Sequence, residues 1–93
     1  MSDIRTAKVR ITGRVQGVSF RVWTQREANA LGLSGWVRNE RDGSVSAVVS
    51  GPRDAVEAML SRLHAGPDAA TVEHVAVAEA GAAPEWRDFR ILR

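Results

Sequence analysis

The positions of apolar residues along the chain predict a mixture of strands and helices. Ala7, Val9 and Ile11 occupy every second position, which is the period of a strand with one buried face. The next segment has apolar or small residues at helical spacing instead, which would form the inner face of a first helix: Phe20, Thr24, Ala28 and Leu31. A second stripe at the same spacing predicts a second helix: Val56, Met59, Leu60 and Leu63.

Turn-forming residues separate these segments. Gly32 ends the first helix, the pair Gly51-Pro52 opens the second, and residues 65–68 (Ala-Gly-Pro-Asp) break it. Arg41-Asp42-Gly43, between two strand-like segments, predicts a hairpin turn. The predicted strands cover about residues 7–13, 34–40, 44–50, 71–78 and 87–92, and the first helix about residues 21–31.

The predicted order is βαββαβ with a short final strand. Two helices on one face of an antiparallel sheet form a ferredoxin-like sandwich, an α+β fold. We expect the whole chain, residues 1–93, to form one domain, because this length suffices for one core and leaves no room for a second.

Composition and charge exclude several classes of function. The chain has no cysteine, so it cannot form disulfides, thiolate metal sites or a cysteine nucleophile. It has no apolar run of about 18 residues and no signal-peptide pattern at its start, so we expect a cytoplasmic protein with no membrane partner. The net charge is only +2 and the basic residues are scattered, so we expect no nucleic-acid partner.

The turn from the first strand to the first helix carries the most informative residues, GRVQGVSFR at 13–21. Such a turn leaves backbone N–H groups without partners, and the helix dipole adds partial positive charge beside them. Gly13 and Gly17 would permit the sharp backbone path and the close approach of an anion, and Arg21 adds a forked, charged guanidinium. These features suit a phosphate, although glycine-containing turns with an arginine also occur without any ligand.

Two stretches resemble the signatures of one known family, the acylphosphatases. GRVQGVSFR at 13–21 is similar to the family pattern GRVQGVxFR. LGLSGWVRN at 31–39, followed by DGSV at 42–45, is similar to the pattern LGLxGWVxNxxDGxV. Both stretches have the family's order and spacing, and the last strand, Phe89 to Ile91, also resembles the family's ending. The resemblance therefore covers nearly the whole chain.

The departures from the family pattern are small. Ser19 stands at a variable position that is often glycine in the family. The chain ends in Leu92-Arg93, where relatives frequently have an aromatic residue, so the sequence leaves open whether the C-terminus contributes to the site.

The resemblance implies an enzyme that hydrolyses the carboxyl–phosphate bond of small acyl phosphates, with no cofactor and no metal. Arg21 matches the family's phosphate-binding arginine and Asn39 its water-positioning asparagine. Inorganic phosphate and sulfate are expected to compete with the substrate, and the protein is expected to be a monomer. The substrate cradle would be completed by the backbone N–H groups of five residues: Gln16, Gly17, Val18, Ser19 and Phe20.

This chemistry is reasonable for such a site. The leaving group is a carboxylate whose conjugate acid has a pKa of about 4, so it departs without being protonated and needs no general acid. The transition state of phosphoryl transfer spreads charge over three oxygens. A preorganised positive cradle and an aligned water are therefore the main requirements.

The residues alone leave alternatives open. Asn39 could instead brace the hairpin that follows it. Ser19 could act as a nucleophile, although no histidine or lysine base stands beside it in the sequence. His64 and His74 are expected to be surface or packing residues, since two histidines without a third ligand make a poor metal site.

Two other classes of function were weighed. A ferredoxin-like domain could bind RNA on its open sheet face, but the predicted third strand has none of the aromatic residues that this needs. The domain could also belong to a larger enzyme that handles carbamoyl phosphate. A chain that starts at Met1 and ends just after the fifth strand favours a free enzyme instead.

Overall fold

Five strands and two helices follow one another in the predicted order. The computed structural model describes residues 3–93. Its elements are β1 (Ile4–Arg14), α1 (Phe20–Ala30), β2 (Ser34–Asn39), β3 (Val45–Pro52), α2 (Arg53–Ala65), β4 (Thr71–Glu79) and β5 (Phe89–Leu92). The α+β, ferredoxin-like prediction is confirmed. In the described part of the chain, no helix has the length and apolar character needed to cross a membrane.

The largest differences from the predicted bounds lie where β1 meets β3. Strand β1 begins at Ile4, three residues before the predicted start, because Ile4 pairs with Pro52 at the end of β3. Pro52 is extended, with φ −53° and ψ 139°, so it ends the strand and α2 starts one residue later.

The five strands form one sheet in the order β4-β1-β3-β2-β5. Every neighbouring pair is antiparallel except β2 and β5, which are parallel. The sheet is therefore mixed, and the expectation of a wholly antiparallel sheet is wrong for this pair. The reason lies in the connection: residues 80–88 lead from β4 at one edge to β5 at the other, and only a tight hairpin forces antiparallel neighbours.

The hydrophobic core lies between the two helices and one face of the sheet. Helix α1 packs against β2 and β5, and α2 packs against β1, β3 and β4. The central strand is the most enclosed, since residues 44–50 are all buried. The predicted inner faces of the helices are largely confirmed, because Phe20, Thr24, Ala28, Val56, Met59 and Leu63 are buried and Leu31 and Leu60 partly so.

Strand direction determines which chain segments meet at one end of the sheet, where strands terminate. Strands β1 and β2 are both antiparallel to β3, so they point the same way, and β5 is parallel to β2. The register agrees, because Val45 at the start of β3 faces Ile11 on one side and Asn39 on the other. Strands β1, β2 and β5 therefore all terminate at the same end of the sheet, where α1 begins.

Candidate active site

Residues 15–19 form the β1–α1 loop, and their backbone is shaped to receive an anion. Gly17 (φ 74°) and Ser19 (φ 60°) are both in the left-handed region, with one residue between them. No backbone carbonyl within residues 3–93 accepts a hydrogen bond from the N–H groups of residues 16–19. Backbone N–H groups arranged in this way form a concave anion site.

The start of α1 adds to the positive character of this loop. The first turn contains no acidic residue, and Ser19 at the N-cap makes no side-chain capping bond. The partial positive charge of the helix N-terminus is therefore neither neutralised nor capped by these groups.

The two glycines of the motif have different roles. Gly17 is exposed, and a Cβ placed on it would meet no atom within 4 Å, so its requirement is the positive φ. Gly13 lies within β1, beside a bulge in the pairing with β4, where a Cβ would collide with the backbone of Thr71 and Glu73. Gly13 also has a φ of 119°, which agrees with the expected sharp backbone path, and its missing side chain permits close packing of two strands.

A cleft opens at the end of the sheet where this loop lies. Of the predicted site residues, six line it: Gln16, Gly17, Ser19, Phe20, Arg21 and Asn39. Val18 does not line the cleft, and its side chain packs against the hydrophobic core. The phenyl ring of Phe20 is also buried in the core.

Five further residues line the cleft that were not among those predicted: Val15, Val22, Ile91, Leu92 and Arg93. Val22 follows Arg21 on the first turn of α1 and is 49% exposed. Leu92 reaches the cleft because it pairs with Arg38, next to Asn39, in the parallel β2–β5 ladder. The sequence left open whether the C-terminus contributes to the site, and the structure places its last residues in the lining of the cleft. Sequence periodicity carried no signal of this, because it does not determine which distant strands pair.

Arg21 projects its charge at the cleft without a carboxylate partner. Six ion pairs are formed within residues 3–93, and Arg21 takes part in none of them. The side chain is partly buried. Its guanidinium is therefore available to an anion, which it can bind through two N–H groups at once.

The Asn39 side chain makes no hydrogen bond to the hairpin that follows it. Its Oδ1 is buried and receives no hydrogen bond from the described residues. A buried polar atom without a partner costs about 1–3 kcal/mol, so an amide that served the fold would be expected to be paired. Rotation about the Cβ–Cγ bond is soft, so the unpaired amide can exchange its oxygen and nitrogen at little cost.

The turn of the β2–β3 hairpin, residues 40–44, is held by other groups. Asp42 Oδ1 accepts hydrogen bonds from the backbone N–H of Ser44 at 2.9 Å and from its hydroxyl at 2.6 Å. Arg10 forms an ion pair with the same carboxylate. The Ser44 hydroxyl and N–H, together with Arg10, lower the pKa of Asp42 to about 2. These bonds stabilise the turn without any contribution from the Asn39 side chain.

The two histidines lie away from the cleft. His64 on α2 and His74 on β4 are exposed, and neither lines it. Across residues 3–93, no group of three or more histidine, cysteine, aspartate or glutamate side chains is placed to hold a metal ion.

Comparison with known proteins identifies the family. The sequence profile of the acylphosphatase family matches residues 7–91. The chain belongs to the acylphosphatase family. It is 57% identical over 91 residues to the acylphosphatase of Rhizobium meliloti strain 1021, covering 98% of this chain and 96% of that one. It therefore has the activity shared by these relatives, the hydrolysis of acyl phosphates.

Solved structures agree in fold. An acylphosphatase from Coxiella burnetii superimposes with a TM-score of 0.91 at 34% identity, covering 97% of this chain and 94% of that one. Full-length HypF, in its phosphate- and nucleotide-bound form, matches with a TM-score of 0.90 at 26% identity over the whole of this chain but only 12% of HypF. The same fold thus also occurs as a small part of a much larger protein.

The left-handed conformation of Ser19 predicts that Ser19→Gly stabilises the protein. A non-glycine residue at φ 60° costs about 1–2 kcal/mol, which the substitution by glycine would relieve. Part of this gain is offset because glycine has more conformational freedom to lose on folding. We expect a net gain of roughly 0.5–1 kcal/mol in the free energy of unfolding, measured by urea denaturation, and kcat within about twofold of the parent.

A matched control is Ser61→Gly, at an exposed position inside α2, which should destabilise by about 0.5 kcal/mol because glycine is a poor helix residue. A Ser19→Gly variant less stable than the parent would show that the hydroxyl makes stabilising contacts that outweigh the strain.

The lowered pKa of Asp42 predicts an acid-sensitive hairpin. A carboxylate whose pKa is lower in the folded state stabilises the fold above its ordinary pKa of about 4 and loses that effect as the pH falls through about 2. We expect Asp42→Asn to be less stable than the parent at about pH 6, with the difference shrinking towards zero near pH 2. Unfolding curves of both proteins across this range test it, since the other carboxyl groups are common to both. A difference independent of pH would contradict it.

Proposed function

We propose that this enzyme acts through the direct attack of water on phosphorus, in a cradle built from backbone N–H groups and Arg21, with Asn39 positioning the water. The observation that carries this proposal is the set of unpaired polar groups around one cleft. The loop N–H groups, the Arg21 guanidinium and the Asn39 amide all lack protein partners among the described residues. The oxygens of a phosphoryl group would accept from the loop N–H groups and the guanidinium, and a bound water would donate to Asn39 Oδ1.

The phosphoryl group would occupy the β1–α1 loop. Its oxygens accept from the N–H groups of residues 16–20, beside the positive end of α1. Arg21 donates from the side of the cleft and stabilises the negative charge on the equatorial oxygens as the transition state forms. Because these donors are held by the fold before the substrate arrives, they need little reorganisation during the reaction.

Asn39 would act on the nucleophile rather than on the anion. Its amide oxygen accepts a hydrogen bond from water, and its NH₂ group can reach the phosphoryl group. The water oxygen then bonds to phosphorus as the bond from phosphorus to the acyl oxygen breaks, and the electron pair leaves with the carboxylate. Both water protons end on the phosphate, which re-equilibrates with solvent.

The labile substrate explains why so few groups suffice. A carboxylate leaves without a proton donor, so the absence of an acid in the mechanism carries no penalty. The acyl part of the substrate would extend along the wall formed by Val22, Ile91 and Leu92, which suits a small apolar or aromatic acyl group. Inorganic phosphate and sulfate would bind the same cradle and compete.

Several expectations stay predictions. The reaction is proposed to need no metal and no cofactor, so that exhaustive chelation should leave the rate unchanged. A monomeric, single-domain protein and a cytoplasmic location are likewise proposed on the sequence alone.

The unpaired amide of Asn39 predicts that Asn39→Ala lowers activity without lowering stability. We expect kcat to fall by about 10²-fold or more, because a group that positions the nucleophile is lost. The free energy of unfolding should stay within about 0.5 kcal/mol of the parent or rise, because no hydrogen bond in the fold is broken. The competitive inhibition constant of inorganic phosphate should change little.

Steady-state kinetics, phosphate inhibition and urea denaturation measure these three quantities. Asn29→Ala, at the exposed end of α1, is the matched control and should leave kcat unchanged. A folded Asn39→Ala variant that keeps its kcat, or one that loses more than about 1 kcal/mol of stability, would favour the bracing role and remove the water-positioning step.

Arg21 is expected to give a different pattern. It is proposed to contact the phosphoryl group in the ground state and more strongly in the transition state, so Arg21→Gln should weaken phosphate inhibition and lower kcat together. Arg21→Lys should recover little, because a point charge does not reproduce the two-pronged donor. Arg26→Lys, an exposed change on the same helix, serves as the control. An Arg21→Lys variant with near-normal kinetics would contradict the two-pronged contact.

A further inference from the structure

The side chain of Gln16 joins the two halves of the cleft. Gln16 belongs to the β1–α1 loop, but its Nε2 donates to the carbonyl oxygen of Glu40 at 2.8 Å and to that of Ser44 at 2.9 Å. Glu40 directly follows Asn39 in the chain. These two carbonyls belong to the residues that close the turn, where the Glu40 N–H donates to the Ser44 carbonyl at 2.9 Å.

We propose that Gln16 is a positioning residue, whose amide sets the distance between the phosphate cradle and Asn39. The inference rests on the proposed water-positioning role of Asn39. Arg21 and the loop N–H groups belong to the start of α1 and the loop after β1, whereas Asn39 ends β2. Between those strands, β1 and β2, lies β3. The Gln16 side chain crosses this gap directly at the end where the chemistry occurs.

The geometry of the amide makes this link specific. A primary amide has two N–H donors, and here each meets one carbonyl, so the donor capacity of Nε2 is completely used. Gln16 is partly buried, which reduces competition from water for these bonds. A single hydrogen bond would allow the turn to pivot about it, whereas two bonds from one nitrogen to carbonyls four residues apart hold its orientation as well as its distance.

The link also explains a division of labour around Asn39. The Asn39 amide is unpaired, so it cannot hold its own position through hydrogen bonds. Its position instead follows from its backbone, which is held in β2 by pairing with β3 and, at the next residue, by Gln16. An error of about 1 Å in the placement of a catalytic group can cost about 10²-fold in rate, so a bond that holds this backbone would affect kcat without touching the substrate.

Two substitutions at Gln16 separate its bonds from its size. Gln16→Glu is nearly isosteric but places a carboxylate against two carbonyl oxygens, and Gln16→Met keeps the length without any donor. We expect each to lower kcat by at least about tenfold at neutral pH, while KM and the inhibition constant of inorganic phosphate change less than about threefold.

The Glu variant has a further signature in its pH profile. Facing two carbonyl oxygens raises the pKa of a carboxyl group, and the protonated form can donate one hydrogen bond. Part of the lost kcat should therefore return as the pH falls from about 7 to about 5, whereas the Met variant should show no such recovery.

The chain contains a matched control for the loss of an amide link. Gln25 on α1 donates from Nε2 to the Phe89 carbonyl at 3.1 Å, and neither residue lines the cleft. Gln25→Met and Gln25→Glu also remove a side-chain bond between two elements, but one far from Asn39 in the hydrogen-bond network. They should leave kcat within about twofold of the parent, even if stability falls.

The decisive measurement is the double variant Gln16→Met with Asn39→Ala. If Gln16 acts through Asn39, its substitution should lower kcat by less than about twofold once Asn39 is gone.

Three results would overturn the proposal. The first is a double variant whose loss of kcat equals the product of the two single losses. The others are equal losses of kcat in the Gln16 and Gln25 variants, and a rise in KM and the phosphate inhibition constant without loss of kcat. If both Gln16 variants fail to fold, Gln16 serves the fold and the proposal is likewise wrong. If Asn39→Ala alone keeps its kcat, the water-positioning function itself fails, a distinct result that the single variant reports.

Discussion

The antiparallel pairing of β3 with both of its neighbours is the constraint on which the site depends. It makes β1 and β2 point the same way, and the register places Ile11 and Asn39 on either side of Val45. The backbone hydrogen bonds of the two ladders therefore bring the loop that follows β1 and the asparagine that ends β2 to one end of the sheet. A slip of one residue in the β2–β3 ladder would turn Asn39 to the opposite face of the sheet, so the proposed site depends on the register of this pairing.

The hairpin turn beside the cleft and the groups that line the cleft differ in how their polar groups are satisfied. In the turn, Asp42 accepts from Ser44 and pairs with Arg10, and the Gln16 side chain donates to two carbonyl oxygens of the turn. The groups that face the anion are left open, and Ser19 is held in a strained backbone conformation. Local conflicts of this kind collect at functional sites, where the surrounding structure offsets their cost.

The fold was predictable because its elements have clear periods and stop signals. Ala7, Val9 and Ile11 alternate cleanly, and Gly32 ends the first helix where it was expected. The roles of Arg21 and Asn39 came from resemblance to a family, since the residues alone favoured a bracing asparagine. What the sequence could not supply was pairing between distant segments. The parallel β2–β5 ladder, the cleft wall at Leu92 and the reach of Gln16 to Glu40 and Ser44 all depend on contacts that no local pattern encodes. Gly13 shows the same limit, because only the neighbouring strand reveals why it lacks a side chain.

The proposed mechanism also indicates where the rate enhancement would arise. A cradle of N–H groups and a guanidinium would bind the phosphoryl group of the substrate and the phosphate product alike, and interactions equal in ground and transition states do not raise kcat. Two things change as the bond to the acyl oxygen breaks: charge moves onto the equatorial oxygens, and the water closes on phosphorus. In the proposed mechanism, Arg21 and the loop respond to the first change, and only a group that holds the water responds to the second. The distance from the cradle to Asn39 would therefore matter more to turnover than the strength of either one, because a strong cradle with a misplaced water would bind substrate and product without converting one into the other.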